Sequence, residues 1–227
     1  MLYFDYWACR LATQKLASFA AGMRSVVFPA FDNISERAAE EAERTLAEWS
    51  FEPSDDPSRA YEAAHDREID YGLELQEVAD AVLGGAVTAL YHLFERQLIS
   101  FILRQVTPLS SITTWDHIEG VLRHFGIDVT AIPSAPDLHE LRLVSNVLKH
   151  GEGPSFERLR KLNSRVLQEP PVGAKVIGEF LVPGPHSILG TALYLTLDDF
   201  DRYVAATLAF WDHTYWKRIG ERCAPTI

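Results

Sequence analysis

The chain has 227 residues, enough for one large domain with a substantial core, and its hydrophobic content is typical of a folded globular protein. The formal net charge of −11 argues against generic binding of nucleic acid over the whole surface, because most of that surface would repel a polyanion. Cys9 and Cys223 are too few for a disulfide framework, so a reduced, cytoplasmic environment is expected. We expect no membrane partner, because no apolar run approaches the length of a span and no signal-peptide pattern opens the chain.

The first quarter of the chain predicts two helices. Residues 2–30 are rich in Ala, Leu and Phe with few breakers, and they predict one long, mostly buried helix. Residues 32–49 have the pattern of a solvated amphipathic helix, with Ser35 as a plausible N-cap. The prolines and polar residues of segment 52–58 indicate a loop. We assign residues 1–57 to an N-terminal helical elaboration.

A long helix is predicted next, over residues 59–105. Gly84-Gly85 in its middle indicates either a bend or the close approach of another helix. Glu95 has the apolar or aromatic neighbours Tyr91, Leu98 and Ile99 at helical spacing. We expect its carboxylate to be buried and paired as part of a polar core, because an unpaired buried charge is costly.

Short elements follow a predicted loop at residues 107–112. A short helix is expected at residues 114–125, where Gly126 stops it. A second helix is expected at residues 134–151, where Ser134 would cap the start and Gly151 the end. A third is expected at residues 155–167.

The segment from 169 to 190 holds four prolines and four glycines, so it predicts an irregular excursion or small β hairpin, with short strands around residues 175–182. Residues 192–196 predict another short strand. Thr196 and Asp199 form a capping box that opens a last helix over residues 197–218. The fold class is therefore all-α: a helical bundle in a single domain, residues 1–227, with a small β excursion before the last helix.

Metal and nucleotide-loop chemistry find little support in the sequence. The two cysteines lie at opposite ends and HExxH is absent, while His117 and His124 share a helical face without completing a zinc site. The carboxylates of Asp198, Asp199 and Asp201 lie at a helix start, where they favour the positive end of the macrodipole. Neither GxxxxGK[ST] nor GxGxxG after a strand is present. We expect no metal and no cofactor.

Charge is unevenly placed along the chain. Residues 32–80 hold sixteen acidic residues against four arginines, whereas residues 139–165 hold six Lys or Arg against three Glu. The basic segment is compatible with an anionic ligand, and equally with an ordinary solvated helix pair.

Arg142, Asn146 and His150 lie within that segment at intervals of four residues, so each step rotates by only about 40° on a helix. RNA can be cleaved without metal if a base takes the 2′-hydroxyl proton and a cation stabilises the developing charge. Imidazole and guanidinium suit those roles, but the same residues could form a solvated helix face.

Two stretches resemble the HEPN superfamily of all-helical, commonly dimeric proteins. The first is Leu141-Arg142-Leu-Val-Ser-Asn146-Val-Leu-Lys149-His150-Gly151, together with Phe94-Glu95 on the long earlier helix. The second is the tail Tyr194-Leu-Thr-Leu-Asp-Asp-Phe200-Asp-Arg-Tyr203 followed by Phe210-Trp211. The resemblance covers residues 75–215, which would be the HEPN-like core.

The resemblance implies a metal-independent endoribonuclease of bacterial defence or of a toxin–antitoxin pair. Its catalytic residues would be Arg142, Asn146 and His150, brought opposite their mates in a homodimer formed through the helix at residues 137–150. The residues expected to bind the RNA substrate are Lys149, Arg158 and Lys161. Seven residues separate Arg142 from His150, more than the four to six usual in family active sites. A non-catalytic HEPN-like scaffold that dimerises and binds a partner protein, such as an antitoxin, or a nucleotide therefore stays open as the alternative.

Overall fold

The computed structural model describes residues 2–50, 56–106, 114–168, 193–212 and 214–217. Within these residues the fold is all-α, as predicted, and no strand is present. The α-helices in chain order are α1 Tyr6–Gly22, α2 Ile34–Glu48, α3 Pro57–Gln105, α4 Trp115–His124, α5 Ala135–His150, α6 Pro154–Lys161 and α7 Leu197–Phe210. The predicted β excursion at residues 169–190 lies outside the described residues, as does the predicted loop at residues 107–112.

The N-terminal helix is shorter and more exposed than predicted. It begins only after Asp5, whose side chain accepts a hydrogen bond from the Ala8 amide at 2.8 Å. After Gly22 the chain continues as a π-helical segment and then as a 3-10 turn that contains Pro29. Proline has no amide donor, so the regular hydrogen-bond ladder cannot continue through it. The prediction of a mostly buried helix was also wrong at the start of α1, where the Trp7 residue is 70% exposed.

The start of α2 also differs from the prediction. Asn33, not Ser35, is the N-cap residue, and it adopts a left-handed conformation with φ 64° and no side-chain capping bond. Asparagine tolerates that conformation better than most residues, which lets the chain reverse just before the helix. Ile34 is then fully buried, so tertiary packing fixes the helix start one residue before the serine.

The helix α3 is 49 residues long and runs without interruption through Gly84-Gly85. Of the two interpretations of this glycine pair, the close approach of another helix is confirmed at the first glycine. A Cβ added to Gly84 would lie 3.1 Å from Leu148 Cδ2 of α5, whereas one added to Gly85 would meet nothing within 4 Å. The absence of a side chain at Gly84 thus sets how closely α5 approaches α3.

The first part of α3 packs against α2, which runs back along it. We call this pair, residues 34–48 and 57–80, the α2–α3 hairpin. Small side chains, Ala38, Ala60 and Ala64, are buried here, and Arg67 bonds Glu41 across the pair at 3.2 Å. These three alanines are not part of the main hydrophobic core. The hairpin is therefore held by close helix contact and surface ion pairs more than by large apolar side chains.

The second part of α3 lies in the main core, which is one connected cluster of buried side chains. Helices α1, α3, α4, α5 and α7 all contribute to it, for example through Leu16, Phe94, Ile118, Leu141 and Phe210. Aromatic rings meet near the chain ends, where Phe4 stacks on Trp216 with ring centroids 3.9 Å apart. Among the helices described, none combines the length and apolar character needed to cross a membrane.

Helix α5 packs on α3, α6 and α7 and presents one apolar face to the core. It ends at Gly151 with φ 73°, as predicted for a glycine C-cap. The predicted capping by Ser134 was wrong, because its side chain makes no capping bond. The Ser134 hydroxyl is instead buried without a hydrogen-bond partner in the described part of the chain. Its backbone is already helical, which is not the extended geometry of a side-chain cap.

The C-terminal elements follow the predictions in part. Helix α6 covers only the first part of the predicted segment, because the chain turns at Asn163, which has φ 50°. Residues 193–196 are not a strand, although the Tyr194 amide donates to the Val166 carbonyl at 2.7 Å. The capping box of Thr196 and Asp199 is confirmed. Helix α7 ends at Phe210 rather than at residue 218, and a separate helical turn follows at residues 214–217.

Candidate functional site

The predicted catalytic residues lie along the face of α5 that is not packed in the core. Arg142 and Asn146 are half-buried, and His150 is exposed at the last turn. The rise of about 1.5 Å per residue separates the Cα atoms of Arg142 and His150 by about 12 Å along the helix axis. Within the described chain, His150 makes no hydrogen bond and no ion pair, so its imidazole does not join Arg142.

Arg142 is surrounded by aromatic groups rather than by carboxylates. Its Cζ lies over the Trp115 ring, 5.9 Å from the centroid, and its Nη2 lies 3.4 Å from His139 Nδ1. The Nε atom is buried and has no acceptor among the described residues. Across the described ranges, no carboxylate lies within ion-pair distance of this guanidinium. A half-buried cation without an anionic partner is unusual, because removing a charge from water normally requires compensation.

The neighbouring turn of α3 adds a hydroxyl and a carboxylate. Tyr91 donates to Glu95 Oε1 at 2.7 Å, and His92 Nδ1 lies 3.5 Å from Glu95 Oε2. Burial raises the pKa of Tyr91, and the hydrogen bond to Glu95 raises it further, whereas the Arg142 charge opposes the rise. The Glu95 side chain is 19% exposed, so it is mostly buried and has two polar partners on its own helix. The Tyr91 hydroxyl therefore stands in the field of both Glu95 and Arg142.

His139 is the imidazole that the structure brings to Arg142. Burial lowers its pKa, the positive charges of Arg142 and Arg158 lower it further, and Glu119 opposes them. The ring is therefore neutral at pH 7. Since the guanidinium can only donate, His139 Nδ1 must accept, and the proton of the neutral ring belongs on Nε2. We call Tyr91, Glu95, Trp115, His139 and Arg142 the Arg142 cluster.

The predicted substrate-binding cations lie on α5 and on α6, the helix that follows it. Lys149, Arg158 and Lys161 are all exposed, and in the parts of the chain that the structure describes none of them has an ion pair. Arg160, by contrast, pairs with Glu157 at 3.2 Å. Three cations on α5 and α6 thus keep their charge available to an external anion.

The first turns of α5 are held by a group of charges that we call the Arg202 network. Arg202 of α7 bonds Glu140 at 2.8 Å and Asp199 at 3.2 Å, and it also pairs with Asp137. Tyr203 donates to Glu140 at 2.9 Å. Burial alone would lower the pKa of Arg202, but the hydrogen bond to Glu140 and the neighbouring negative groups raise it. The network fixes α5 against α7.

Two of the three carboxylates at the start of α7, those of Asp199 and Asp201, have structural partners. Asp199 is buried, closes the capping box and also bonds Arg165 at 2.8 Å, while Asp201 pairs with Arg24. No group of three or more His, Cys, Asp or Glu in the described residues could hold a metal ion. These acidic side chains therefore complete helix capping and ion pairing.

Sequence reasoning missed three residues of the Arg142 cluster as functional candidates: Tyr91, Trp115 and His139. His139 lies three residues before Arg142, a spacing that places both side chains on one helical face. That spacing could have indicated the pair. Trp115 comes from another helix, and no local pattern links it to Arg142.

Comparisons with protein-family models, with curated proteins and with solved structures found no match to this chain. A functional proposal therefore depends on the chemistry of the α5 surface and of the side chains around it.

Proposed function

We propose that the protein is a HEPN-like, metal-independent endoribonuclease that acts as a homodimer in bacterial defence or in a toxin–antitoxin pair. The observation that supports it is the charge state of the α5 surface. Arg142 of α5 is half-buried without a carboxylate partner in the described chain. Three exposed cations lie near it along the chain, Lys149 on α5 and Arg158 and Lys161 on α6. Such a surface suits a phosphodiester chain, even though the whole protein is acidic.

The proposed reaction uses the exposed imidazole and the available guanidinium. His150 accepts the proton of a ribose 2′-hydroxyl, and the 2′-oxygen attacks the adjacent phosphorus. The bond to the 5′-oxygen breaks, leaving a 2′,3′-cyclic phosphate on one fragment. The 5′-oxygen of the other fragment becomes a hydroxyl by taking the proton that His150 accepted, which is returned directly or through water. Arg142 neutralises the charge that develops on the phosphoryl oxygens, and Asn146 orients the ribose or phosphate between them.

The spacing of the two residues supports a dimer for this chemistry. About 12 Å of helix axis separates Arg142 from His150 in one protomer, which is a long span for two groups acting on one phosphate. A two-fold contact that sets two copies of α5 side by side in opposite directions pairs Arg142 of one copy with His150 of the partner subunit. The exposed C-terminal turn of α5 is available for that contact.

The test measures cleavage of a mixed RNA pool in the presence of EDTA by wild type, His150→Ala and Arg142→Ala. We expect wild-type cleavage with cyclic-phosphate ends and at least a 100-fold loss in each variant, the usual effect of removing one charge-stabilising group. His65→Ala is the matched control, because His65 is an exposed helical histidine about 39 Å from Tyr91 along α3. Equal cleavage by wild type and His150→Ala would remove His150 from the mechanism, and loss of cleavage in EDTA would contradict metal independence.

The scaffold alternative is supported by a different surface. At the start of α1, four large side chains are exposed, Tyr3 and Trp7 at 70%, Tyr6 at 49% and Leu11 at 48%. Exposed aromatic groups that lie together are typical of surfaces that contact another protein. If folded wild type and His150→Ala are equally inactive on RNA while Trp7→Ser alters the mass of the assembly in solution, the scaffold becomes the better assignment.

A further inference from the structure

We propose that Arg142 forms a binding site for the phosphate of a nucleotide, and that His139, whose Nδ1 accepts from the guanidinium, positions it for that contact. This inference rests on the proposed function for the identity of the natural ligand, an RNA phosphate. It adds His139, which the HEPN resemblance does not single out, as a positioning residue whose role is separate from proton transfer by His150.

Arg142 has hydrogen-bond donors that no described residue uses. A guanidinium carries five N–H donors, and the His139 ring nitrogen at 3.4 Å is the polar partner that the structure gives it. Trp115 contacts the cation through its ring and accepts no ordinary hydrogen bond. Arg142 is half-buried rather than buried, so an external anion can reach it. Several donors are therefore left for a ligand with multiple acceptor oxygens, and phosphate matches that geometry.

The nearby carboxylates make no direct contact with Arg142. Glu119, the acidic group that acts on His139, pairs with Arg123 at 2.5 Å. Glu95 accepts from Tyr91 at 2.7 Å. Neither carboxylate is within ion-pair distance of Arg142 in the described residues. Among these residues, no carboxylate therefore competes with an external anion for direct contact with the guanidinium.

His139 holds the guanidinium through Nδ1. Arg142 donates toward Nδ1, so the neutral ring carries its proton on Nε2, the nitrogen that does not face the guanidinium. His139 therefore acts on a bound phosphate through Arg142 and not by donating to the same oxygen atoms. With Nδ1 engaged by Arg142 and a proton on Nε2, the ring has no nitrogen left to act as the base, which leaves proton transfer to another group. Arg158 of α6 adds a second positive charge near the same ring.

The experiment titrates wild-type protein with uridine 3′-monophosphate and, separately, with inorganic phosphate. Binding is followed by calorimetry, and the His139 ring proton and carbon signals by NMR. We expect both ligands to shift the His139 signals, and we expect its pKa to rise by about one unit or more when the dianion binds, because an adjacent opposite charge favours the imidazolium. The charged groups that face His139 are Arg142 on its own helix, Arg158 on α6 and Glu119 on α4.

Variants separate the roles of the two residues. Arg142→Gln should weaken the binding of uridine 3′-monophosphate at least tenfold, the usual effect of losing a charge-assisted hydrogen bond. His139→Ala should also weaken it several-fold, whereas His139→Gln should restore part of the affinity, because its amide oxygen can accept from Arg142 in place of Nδ1. Arg59→Gln is the matched control for charge, since Arg59 is exposed and about 48 Å from Tyr91 along α3. Its affinity should equal that of wild type.

The outcomes distinguish this inference from the proposed nuclease. If wild type cleaves RNA but binds the mononucleotide equally well with and without His139 and Arg142, the phosphate site is wrong and the nuclease stands. If binding depends on both residues but RNA stays intact, the phosphate site stands and the nuclease proposal falls. Absence of any shift at His139 with both ligands overturns the inference, whatever the cleavage result.

Discussion

Arg142 on α5 and Arg202 on α7 are both half-buried arginines, and their surroundings are opposite. Arg202 pairs with the carboxylates of Asp137, Glu140 and Asp199. Arg142 faces an imidazole and an indole, with no carboxylate within ion-pair distance in the described ranges. Arg202 thus has three carboxylate partners, whereas Arg142 has none among the residues that the structure describes.

The difference indicates different purposes for two similar side chains. A guanidinium surrounded by carboxylates gains its stabilisation inside the protein and has nothing left for a ligand. A guanidinium whose neighbours are neutral rings keeps its electrostatic attraction for an external anion. The Arg202 network therefore positions α5, and the Arg142 cluster is the part of the helix that is suited to bind.

The largest effect should come from breaking the Arg202 network. Arg202→Gln leaves Asp137, Glu140 and Asp199 without their shared cation, and the loss of one partner from a largely buried charge group costs about 3 kcal/mol. Arg142→Gln, made for comparison, should lower the free energy of unfolding by about 1 kcal/mol or less, because it removes a cation–π contact with Trp115 and a long contact with His139 but no ion pair among the described residues. Urea unfolding of both variants measures the difference.

Arg165→Gln sharpens that test, because Arg165 also bonds Asp199 but its side chain is 54% exposed. Its effect should be smaller than that of Arg202→Gln. Equal losses of stability in Arg202→Gln and Arg142→Gln would remove the distinction between a structural and a binding arginine.

A smaller effect is expected at the glycine pair of α3, which tests whether packing also fixes α5. Gly85→Ala should stabilise the protein by up to about 1 kcal/mol, because alanine favours the helix and the new methyl group meets open space. Gly84→Ala should lose that gain, since its methyl group would lie 3.1 Å from Leu148 Cδ2. Thermal unfolding of the two variants gives the comparison, and equal stabilisation by both would show that α5 moves aside freely.

The smallest effect concerns pH and His139. Its pKa in the folded protein is below the ordinary value of 6.5, so the unfolded chain binds a proton more readily than the folded one. The stability that this residue contributes is complete above about pH 6.5 and decreases as the pH falls through the window below that value. Wild type should therefore lose more stability than His139→Gln between pH 7 and pH 5 in urea unfolding. Parallel curves for the two proteins would contradict the burial of a neutral ring beside Arg142.

Much of the fold could be predicted because its signals are local. Helical periodicity and the breakers around it predicted the long α3, and the capping box predicted the start of α7 at Thr196. Capping failed at Ser35 and Ser134, where the neighbouring packing decides the helix start. A serine before a helical pattern is common, and the sequence does not say whether its backbone will be extended.

The candidate site was predictable only along one helix. The pattern of α5 placed Arg142, Asn146 and His150 on its polar face, and that arrangement follows from helical geometry alone. The contributions of Tyr91 and Trp115 depend on how α3 and α4 pack against α5, which no spacing along the chain encodes. RNA cleavage, the dimer and the partner stay predictions.

The α2–α3 hairpin also gives the molecule a strong asymmetry of charge. Residues 32–80 hold sixteen acidic residues against four arginines, and the same helix α3 continues from this acidic region to Tyr91 beside Arg142. Pro57 and Tyr91 are about 51 Å apart along the helix at 1.5 Å per residue. We therefore predict that the RNA of the proposed function is repelled from the acidic end of the molecule and approaches α5 in one preferred orientation. The orienting force extends about 8 Å at physiological ionic strength, so added salt should remove it before it removes the contacts themselves.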